Sequence, residues 1–219
     1  MLSAVIPTLN ASGTLPGALA PLAGAGCEIV VADGGSTDAT RQIAEEAGAR
    51  VIETPPGRGV QLRAGCAAAA GDWLLVLHAD TRLGPGWEAA AQEHMARAAD
   101  RAGYFRLAFD DPSAVARLWE RGVRWRAEVL HLPYGDQGLL IARSLYDAVG
   151  GFPAWPLMED VDLVRRLGAE RLAPLPATAI TSADKYRRDG WMRRSLGHWV
   201  TLARWRLGAD PAVLARGHG

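Results

Sequence analysis

The sequence predicts an α/β protein: a mostly parallel sheet with helices on both faces, followed by a C-terminal helical segment. Three apolar runs carry that expectation. Leu2-Ser3-Ala4-Val5-Ile6, Cys27-Glu28-Ile29-Val30-Val31-Ala32 and Trp73-Leu74-Leu75-Val76-Leu77 are continuous and do not alternate, as is usual for strands buried on both faces of a sheet. Segments of helical length lie between them, and short right-handed crossovers of that kind make a parallel sheet.

The elements follow in order. Strand one covers about 2–7, and 12–23 reads as a helix containing Pro16 and Pro21. Strand two is 27–32, and 37–47 forms a helix that stops at Gly48. Strand three is 50–54, a helix spans 59–70, and strand four is 73–78. A helix at 85–101 comes next, and 104–109 alternates as an antiparallel strand does. Residues 114–130 are helical, 138–142 a strand, and 161–167 a helix led by Glu159-Asp160. The last helix covers 191–207. No internal repeat, low-complexity tract or linker interrupts the chain.

Composition fits one domain. The 219 residues suffice for a full α/β core, and a formal net charge of zero argues against nucleic acid as the main partner. Lys185 is the only lysine among 24 basic residues, which reads as coding bias in an Ala- and Gly-rich chain. Two cysteines, Cys27 and Cys66, read as reduced core thiols of a cytoplasmic protein. No charged segment precedes the first strand, so no signal peptide is expected. No stretch approaches the ~20 apolar residues of a spanning helix.

Ligands of open α/β sheets bind beyond the carboxyl ends of the strands. The three runs end by delivering Thr8, Asn10, Asp33 and Asp80 to one such edge. Acid and amide groups there suit a ligand bearing hydroxyls, amides or a metal. Gly34-Gly35 after Asp33 permits close backbone approach, whereas Ser36-Thr37-Asp38 is explained by helix capping alone. Arg58-Gly59, with Gln61 and Arg63 on the next turn, opens a helix. It could cradle a diphosphate or form a solvated basic face.

Pro7-Thr8-Leu9-Asn10, Val31-Ala32-Asp33-Gly34-Gly35-Ser36-Thr37-Asp38 and Gly71-Asp72-Trp73-Leu74-Leu75-Val76-Leu77-His78-Ala79-Asp80, then Gly150-Gly151-Phe152 and Glu159-Asp160, resemble the motifs of a family 2 glycosyltransferase with the Rossmann-like GT-A fold. The resemblance runs from about residue 1 to about 170. It points to a small bacterial subgroup with a His-Ala-Asp variant of the family's Asp-x-Asp motif. It implies one domain: a nucleotide-sugar half over 1–110, an acceptor half over 111–180 and an amphipathic helix over 186–210.

The resemblance also implies site roles. Pro7, Thr8, Asn10, Asp33, Gly34, Arg58, Gln61 and Asp80 would bind the nucleotide sugar. Asp33 would pair with a uracil-type imide, making a UDP-sugar the favoured donor with a guanosine donor still open. Asp80 would hold the divalent cofactor, Mg²⁺ or Mn²⁺. His78 stands where the family carries an acid, and it could ligate the metal, bond the ribose or cap the strand. Asp160, with Glu159 beside it, would take the proton from an acceptor hydroxyl, and a pKa raised by Trp155 and Met158 would suit that task. Asp136, Gln137 and Trp155 would face a small-molecule or lipid-linked acceptor. Transfer would invert the anomeric carbon.

Rival activities lack their residues. A phosphohydrolase needs the nucleophilic Asp that His78 replaces, and a dinucleotide dehydrogenase needs Gly-x-Gly-x-x-Gly where Pro7-Thr8-Leu9-Asn10 stands. A nucleotidyltransferase would carry a Gly-rich basic loop there. A non-catalytic nucleotide-sugar-binding or scaffold protein is the alternative His78 leaves open. In the last helix, Met192, Leu196, Trp199, Val200, Ala203 and Leu207 share one stripe, read as the face that packs on the domain, with Trp205 opposite. Trp205, Trp119, Trp125 and nearby arginines suggest a surface for an anionic membrane, at its inner face, or for a homodimer.

Overall fold

The computed structural model describes residues 1–216. The chain runs β1 (Leu2–Thr8), α1 (Leu15–Leu19), β2 (Glu28–Asp33), α2 (Thr40–Glu46), β3 (Arg50–Glu53), α3 (Arg58–Ala68), β4 (Trp73–Val76), β5 (Thr81–Leu83) and α4 (Trp87–Arg97). It continues through β6 (Ala102–Phe109), α5 (Ala114–Val129), β7 (Leu139–Ala142), α6 (Arg143–Ala148) and α7 (Glu159–Leu167). It closes with β8 (Leu172–Thr181), α8 (Asp184–Asp189), α9 (Trp191–Arg206) and α10 (Pro211–Arg216). Among the described residues all eight strands form one sheet in the order β3-β2-β1-β4-β7-β6-β8-β5.

The first four strands pair in parallel, as the continuous apolar runs require. Neighbouring residues in those runs enter opposite cores. Val5 and Leu74 pack on one face with α3, α6 and α7, while Ile6 and Leu75 pack on the other with α1, α2 and α4. Beyond β4 the sheet changes character: β7 runs antiparallel to β4 and to β6, and β6 runs parallel to β8. So the strand at β6 meets an antiparallel neighbour on one side only. Both cysteines are free thiols, Cys66 buried and Cys27 partly so.

Two expected helices start late, and side chains explain both. Asn10 Oδ1 accepts the Thr37 N–H at 2.9 Å, and Asp38 Oδ1 accepts the Thr40 N–H at 3.0 Å, so α2 begins only at Thr40. Asp38 Oδ2 likewise takes the Ser12 N–H at 3.0 Å, and α1 begins at Leu15, passing into a 3-10 turn over Ala20–Leu22.

The C-terminal helix faces the other way from the expected one. Leu202 is buried in the main core and Trp205 packs against it, with Arg165 over the indole at 5.1 Å. The stripe expected to pack is turned to solvent: Met192 is 75% exposed, Leu196 65%, Trp199 45%, Val200 49% and Leu207 89%. Helical period fixes which residues share a face, not which face is covered. Here β6, α5 and α8 offer Leu107, Phe109, Trp119 and Tyr186 to Trp191, and that contact sets the rotation of α9.

Candidate active site

The ends of β1, β2 and β4 meet the start of α3 as the sequence reading places them. Thr8 Oγ1 donates to Asp33 Oδ1 at 3.0 Å. The Asp33 carboxylate also accepts from the N–H groups of Gly35 and Ser36, the Ser36 hydroxyl and Arg41 Nε. Burial would raise its pKa, but the Ser36 and Arg41 bonds outweigh that and hold it below the usual carboxylate range. Asp33 is therefore fully buried and organises the turn after β2. Gln61, also buried, donates from Nε2 to the carbonyls of Thr8 at 2.6 Å and Ala32 at 3.0 Å, tying the two strand ends together. Gly34 lies against it, where an added Cβ would meet Gln61 Nε2 at 3.0 Å.

These elements border a groove of about 540 Å³ lined by Pro7, Thr8, Asn10, Gly57, Arg58, Gln61, His78, Asp80 and Lys185. A second compartment of about 180 Å³ adjoins it, lined by Tyr134, Asp136, Leu157, Met158, Asp160, Ser182, Tyr186, Arg194 and His198. Arg58, His78, Asp80 and Lys185 line both.

The second compartment is built by α7 and the turn before β7. Met158 adopts φ 67°, the left-handed conformation unusual for a residue with a side chain. That turn starts α7 with Glu159 and Asp160 aimed at the strand ends. Arg58 Nε pairs with Glu159 Oε1, Arg58 NH2 reaches Glu159 Oε2 at 3.3 Å, and Asp160 Oδ1 lies 3.8 Å from the same guanidinium. Gly135 N–H donates to Asp160 Oδ2 at 2.8 Å. Burial would raise the Asp160 carboxyl, but Arg58 and the Gly135 N–H prevail and hold it below the ordinary range. A raised Asp160 was the expectation, and the arginine reverses it.

Two neighbouring carboxyls move up instead. Burial, then the charge of Asp160, pushes Glu159 up to about 7. Asp136 is pushed up to about 6 by burial, with Asp160 and Asp80 adding to the effect against Arg126. Its Oδ1 is buried without a hydrogen-bond partner, and a buried polar atom of that kind in a pocket marks a place for a ligand's donor. Gln137 is committed elsewhere: Nε2 donates to Phe105 O at 3.1 Å, and Oε1 accepts from Tyr134 N and Arg126 NH2. Trp155 does not line either compartment. Its carbonyl accepts the Gly59 N–H at 2.9 Å, and a Cβ at Gly59 would collide with the backbone of Pro153 and Trp155.

Asp80 carries Lys185 Nζ on Oδ2 at 3.2 Å. Burial would raise it, but His78 and Lys185 hold it low. His78 is driven down to about 4 by burial and by Arg58, so its imidazole is neutral at pH 7. Among the described residues no three His, Cys, Asp or Glu side chains converge to hold an ion. One hard carboxylate and one neutral imidazole still suit a Mg²⁺ or Mn²⁺ that brings phosphate oxygens with it. Lys185, Tyr186, Arg194 and His198 were not picked out as site residues from the sequence. For Lys185 a signal existed, since it is the lone lysine of an arginine-rich chain.

The sequence profile of Glycosyl transferase family 2 matches residues 3–152. The PGL/p-HBAD biosynthesis glycosyltransferase of Mycobacterium bovis is 41% identical over 93 residues, covering 38% of this chain and 36% of the relative. The chain thus spans about a third of that relative's length. The fold is that of S. aureus TarS, at TM-score 0.67 and 16% identity over 97% of this chain and 41% of TarS. It is also that of glucosyl-3-phosphoglycerate synthase from Mycobacterium tuberculosis, solved with Mn²⁺ and UDP, at TM-score 0.57 and 22% identity over 83% and 70%. Because the family profile covers about two thirds of its length, the chain belongs to glycosyl transferase family 2.

Proposed function

We propose that the protein transfers a sugar from a nucleoside-diphosphate donor to an acceptor hydroxyl, by in-line displacement with inversion at the anomeric carbon. The observation that carries this is the shared wall of Arg58, His78, Asp80 and Lys185 between two compartments. Group transfer needs donor and acceptor held in contact, and such a wall is where the reacting carbon belongs. The donor occupies the groove along Pro7, Thr8, Asn10 and Gly57. A uridine donor is favoured because the related structures of TarS and glucosyl-3-phosphoglycerate synthase hold UDP or UDP-sugars.

Asp160 is the general base. Its Oδ2 is fixed by the Gly135 N–H and its charge is kept by Arg58, so it stays ionised across the neutral range. Glu159 holds Arg58 in place, and Asp136 positions the acceptor through its unpartnered Oδ1. A Mg²⁺ or Mn²⁺ arriving with the donor would take its protein ligands from Asp80 and His78, and would neutralise the leaving diphosphate. Incubation with UDP- and GDP-sugars plus hydroxyl acceptors tests the reading. Nucleoside diphosphate release that needs an acceptor supports it; a protein that neither binds nor consumes any nucleotide sugar refutes it.

Helices α5 and α9 support a second element of this proposal, attachment to the inner face of an anionic membrane. Between them runs a groove lined by Leu118, Trp119, Trp125 and Trp199 that shares Tyr134 and Tyr186 with the acceptor compartment. Exposed Met192, Leu196 and Val200 continue that apolar surface, with Arg121, Arg124, Arg193 and Arg204 exposed beside them. Apolar side chains ringed by arginines suit the boundary between headgroups and acyl chains. An acceptor with an apolar portion would then reach Asp160 along the groove. Among the described residues no helix is long and apolar enough to cross a membrane. Co-sedimentation with anionic vesicles at low salt supports attachment, whereas a dimer in light scattering without vesicle binding assigns the surface to self-association.

A further inference from the structure

We infer that Lys185 is the cation that meets the donor's diphosphate, bridging it to Asp80, so that nucleotide binding does not require a divalent ion. The inference rests on the nucleotide-sugar reading above. Among the described residues three cationic side chains line the two compartments, Arg58, Arg194 and Lys185. Arg58 is held by Glu159 and flanked by Asp160, so its single charge is outnumbered by carboxylates. Arg194 donates to Asp189 at 3.0 Å and lies 5.5 Å over the Tyr186 ring. Lys185 faces Asp80 alone among the carboxylates, at 3.2 Å, and its side chain is 56% exposed.

The position of Asp80 makes such a cation necessary. A bare carboxylate in the wall of a diphosphate groove repels the ligand, and the repulsion grows where water is excluded. An ammonium has three donors, so Lys185 can keep one on Asp80 Oδ2 and give the others to phosphate oxygens. Its approach is fixed by the fold. β5 and β8 pair Thr81 with Thr181, and Ser182 N–H donates to Asp80 O at 3.0 Å, which brings Lys185 beside Asp80 across 105 residues of sequence. The residue type fits as well. A compact charge on a flexible stem follows a mobile phosphate, whereas a guanidinium demands a fixed fork, and here alone the chain uses lysine. A divalent ion held by Asp80 would compete with Lys185 for its carboxylate.

The test is calorimetric titration of UDP and of uridine into the wild-type protein, Lys185→Met and Lys185→Arg, in EDTA and again with Mn²⁺. Expected are UDP binding by wild type in EDTA and a loss of about tenfold or more in Lys185→Met. Partial recovery in Lys185→Arg and unchanged uridine affinity throughout are expected too, with Mn²⁺ restoring part of the Lys185→Met loss. The inference is overturned if Lys185→Met binds UDP in EDTA as wild type does, or if EDTA abolishes wild-type UDP binding while uridine still binds. A protein that binds neither UDP nor uridine under either condition overturns the donor reading itself, and the inference with it. Unchanged circular dichroism in the variants shows that the fold is intact.

Discussion

Two aspartates stand on the two sides of the proposed site, Asp33 fully buried and Asp136 half-buried with one oxygen shut off from solvent, and their surroundings differ. On the donor side, Asp33 is satisfied by Thr8, Gly35, Ser36 and Arg41. On the acceptor side, Asp136 keeps a buried oxygen without a partner and a pKa near 6. A buried acceptor left unpaired costs on the order of 1–3 kcal/mol, which on the proposed reading a hydroxyl of the acceptor would recover on binding. The proposed donor side is a finished scaffold, its strand ends already tied together by Thr8, Asp33 and Gln61. The lesson is that a carboxylate's place at a strand end says where a site is, while its unmet hydrogen bonds say which group is left for the ligand.

The sharpest way to break the comparison is to exchange the roles of Asp160 and Asp136. Asp160→Asn should lower kcat by about 100-fold or more with donor Kd unchanged, because a general base acts on the acceptor's proton in the transition state. Asp136→Asn should act mainly on acceptor KM. If steady-state kinetics showed the reverse, Asp136, with its pKa nearer neutrality, would be the base.

Arg58→Ala probes the link between the two sides. It strands the fully buried Glu159 beside Asp160, and removing one partner of a buried pair costs on the order of 3 kcal/mol or more. Chemical denaturation should show that loss; a change under about 1 kcal/mol would mean that Glu159 folds protonated and does not need its arginine. Gly59→Ala should follow at about 1–3 kcal/mol, since the new Cβ meets the backbone of Pro153 and Trp155. The displaced 153–158 loop would carry Asp160 with it, so turnover should fall alongside stability.

Smaller still is a pH effect. The Asp136 carboxyl is raised from its ordinary value to about 6, so between about pH 4 and 6 the folded state binds more protons than the unfolded chain. Stability from this group is therefore present at low pH and lost as pH rises through that window. Asp136→Asn should flatten this part of the stability–pH profile, and an unchanged slope would assign it to Glu159. Smallest in stability is Trp199→Glu on the exposed face of α9. Surface changes of this kind stay within about 0.5 kcal/mol, but vesicle binding should drop sharply if this face meets the membrane.

The strand ends that border the proposed donor groove were legible because parallel strands buried on both faces leave unbroken apolar runs, and Thr8, Asn10, Asp33 and Asp80 stand after those runs; that Asp33 is spent on its own turn was not legible. Glu159-Asp160 was legible as a motif, but its partner was not. Arg58 lies 101 residues away, and its pairing with Glu159 is set by how α3 packs near α7. Strand β8, to which the sequence reading assigned no element, contains Pro174 and Pro176, which interrupt the usual strand pattern. The register shift opposite Tyr104 and Arg106 lets the sheet accept them. Strand β5 is only three residues long, too short for any periodicity. The exposed stripe of α9 shows the same limit, since a helix's apolar period is blind to what the rest of the chain places against it.

The most direct test of the division into donor and acceptor sides is a thermal-stability titration with UDP-sugars and GDP-sugars on wild type and Asp160→Asn. A ligand that binds only the folded state raises the midpoint with its concentration. The expected result is a concentration-dependent rise with at least one nucleotide sugar, equal in the two proteins. A rise lost in Asp160→Asn, or no rise with any nucleotide sugar, would contradict a donor site built by the strand ends alone.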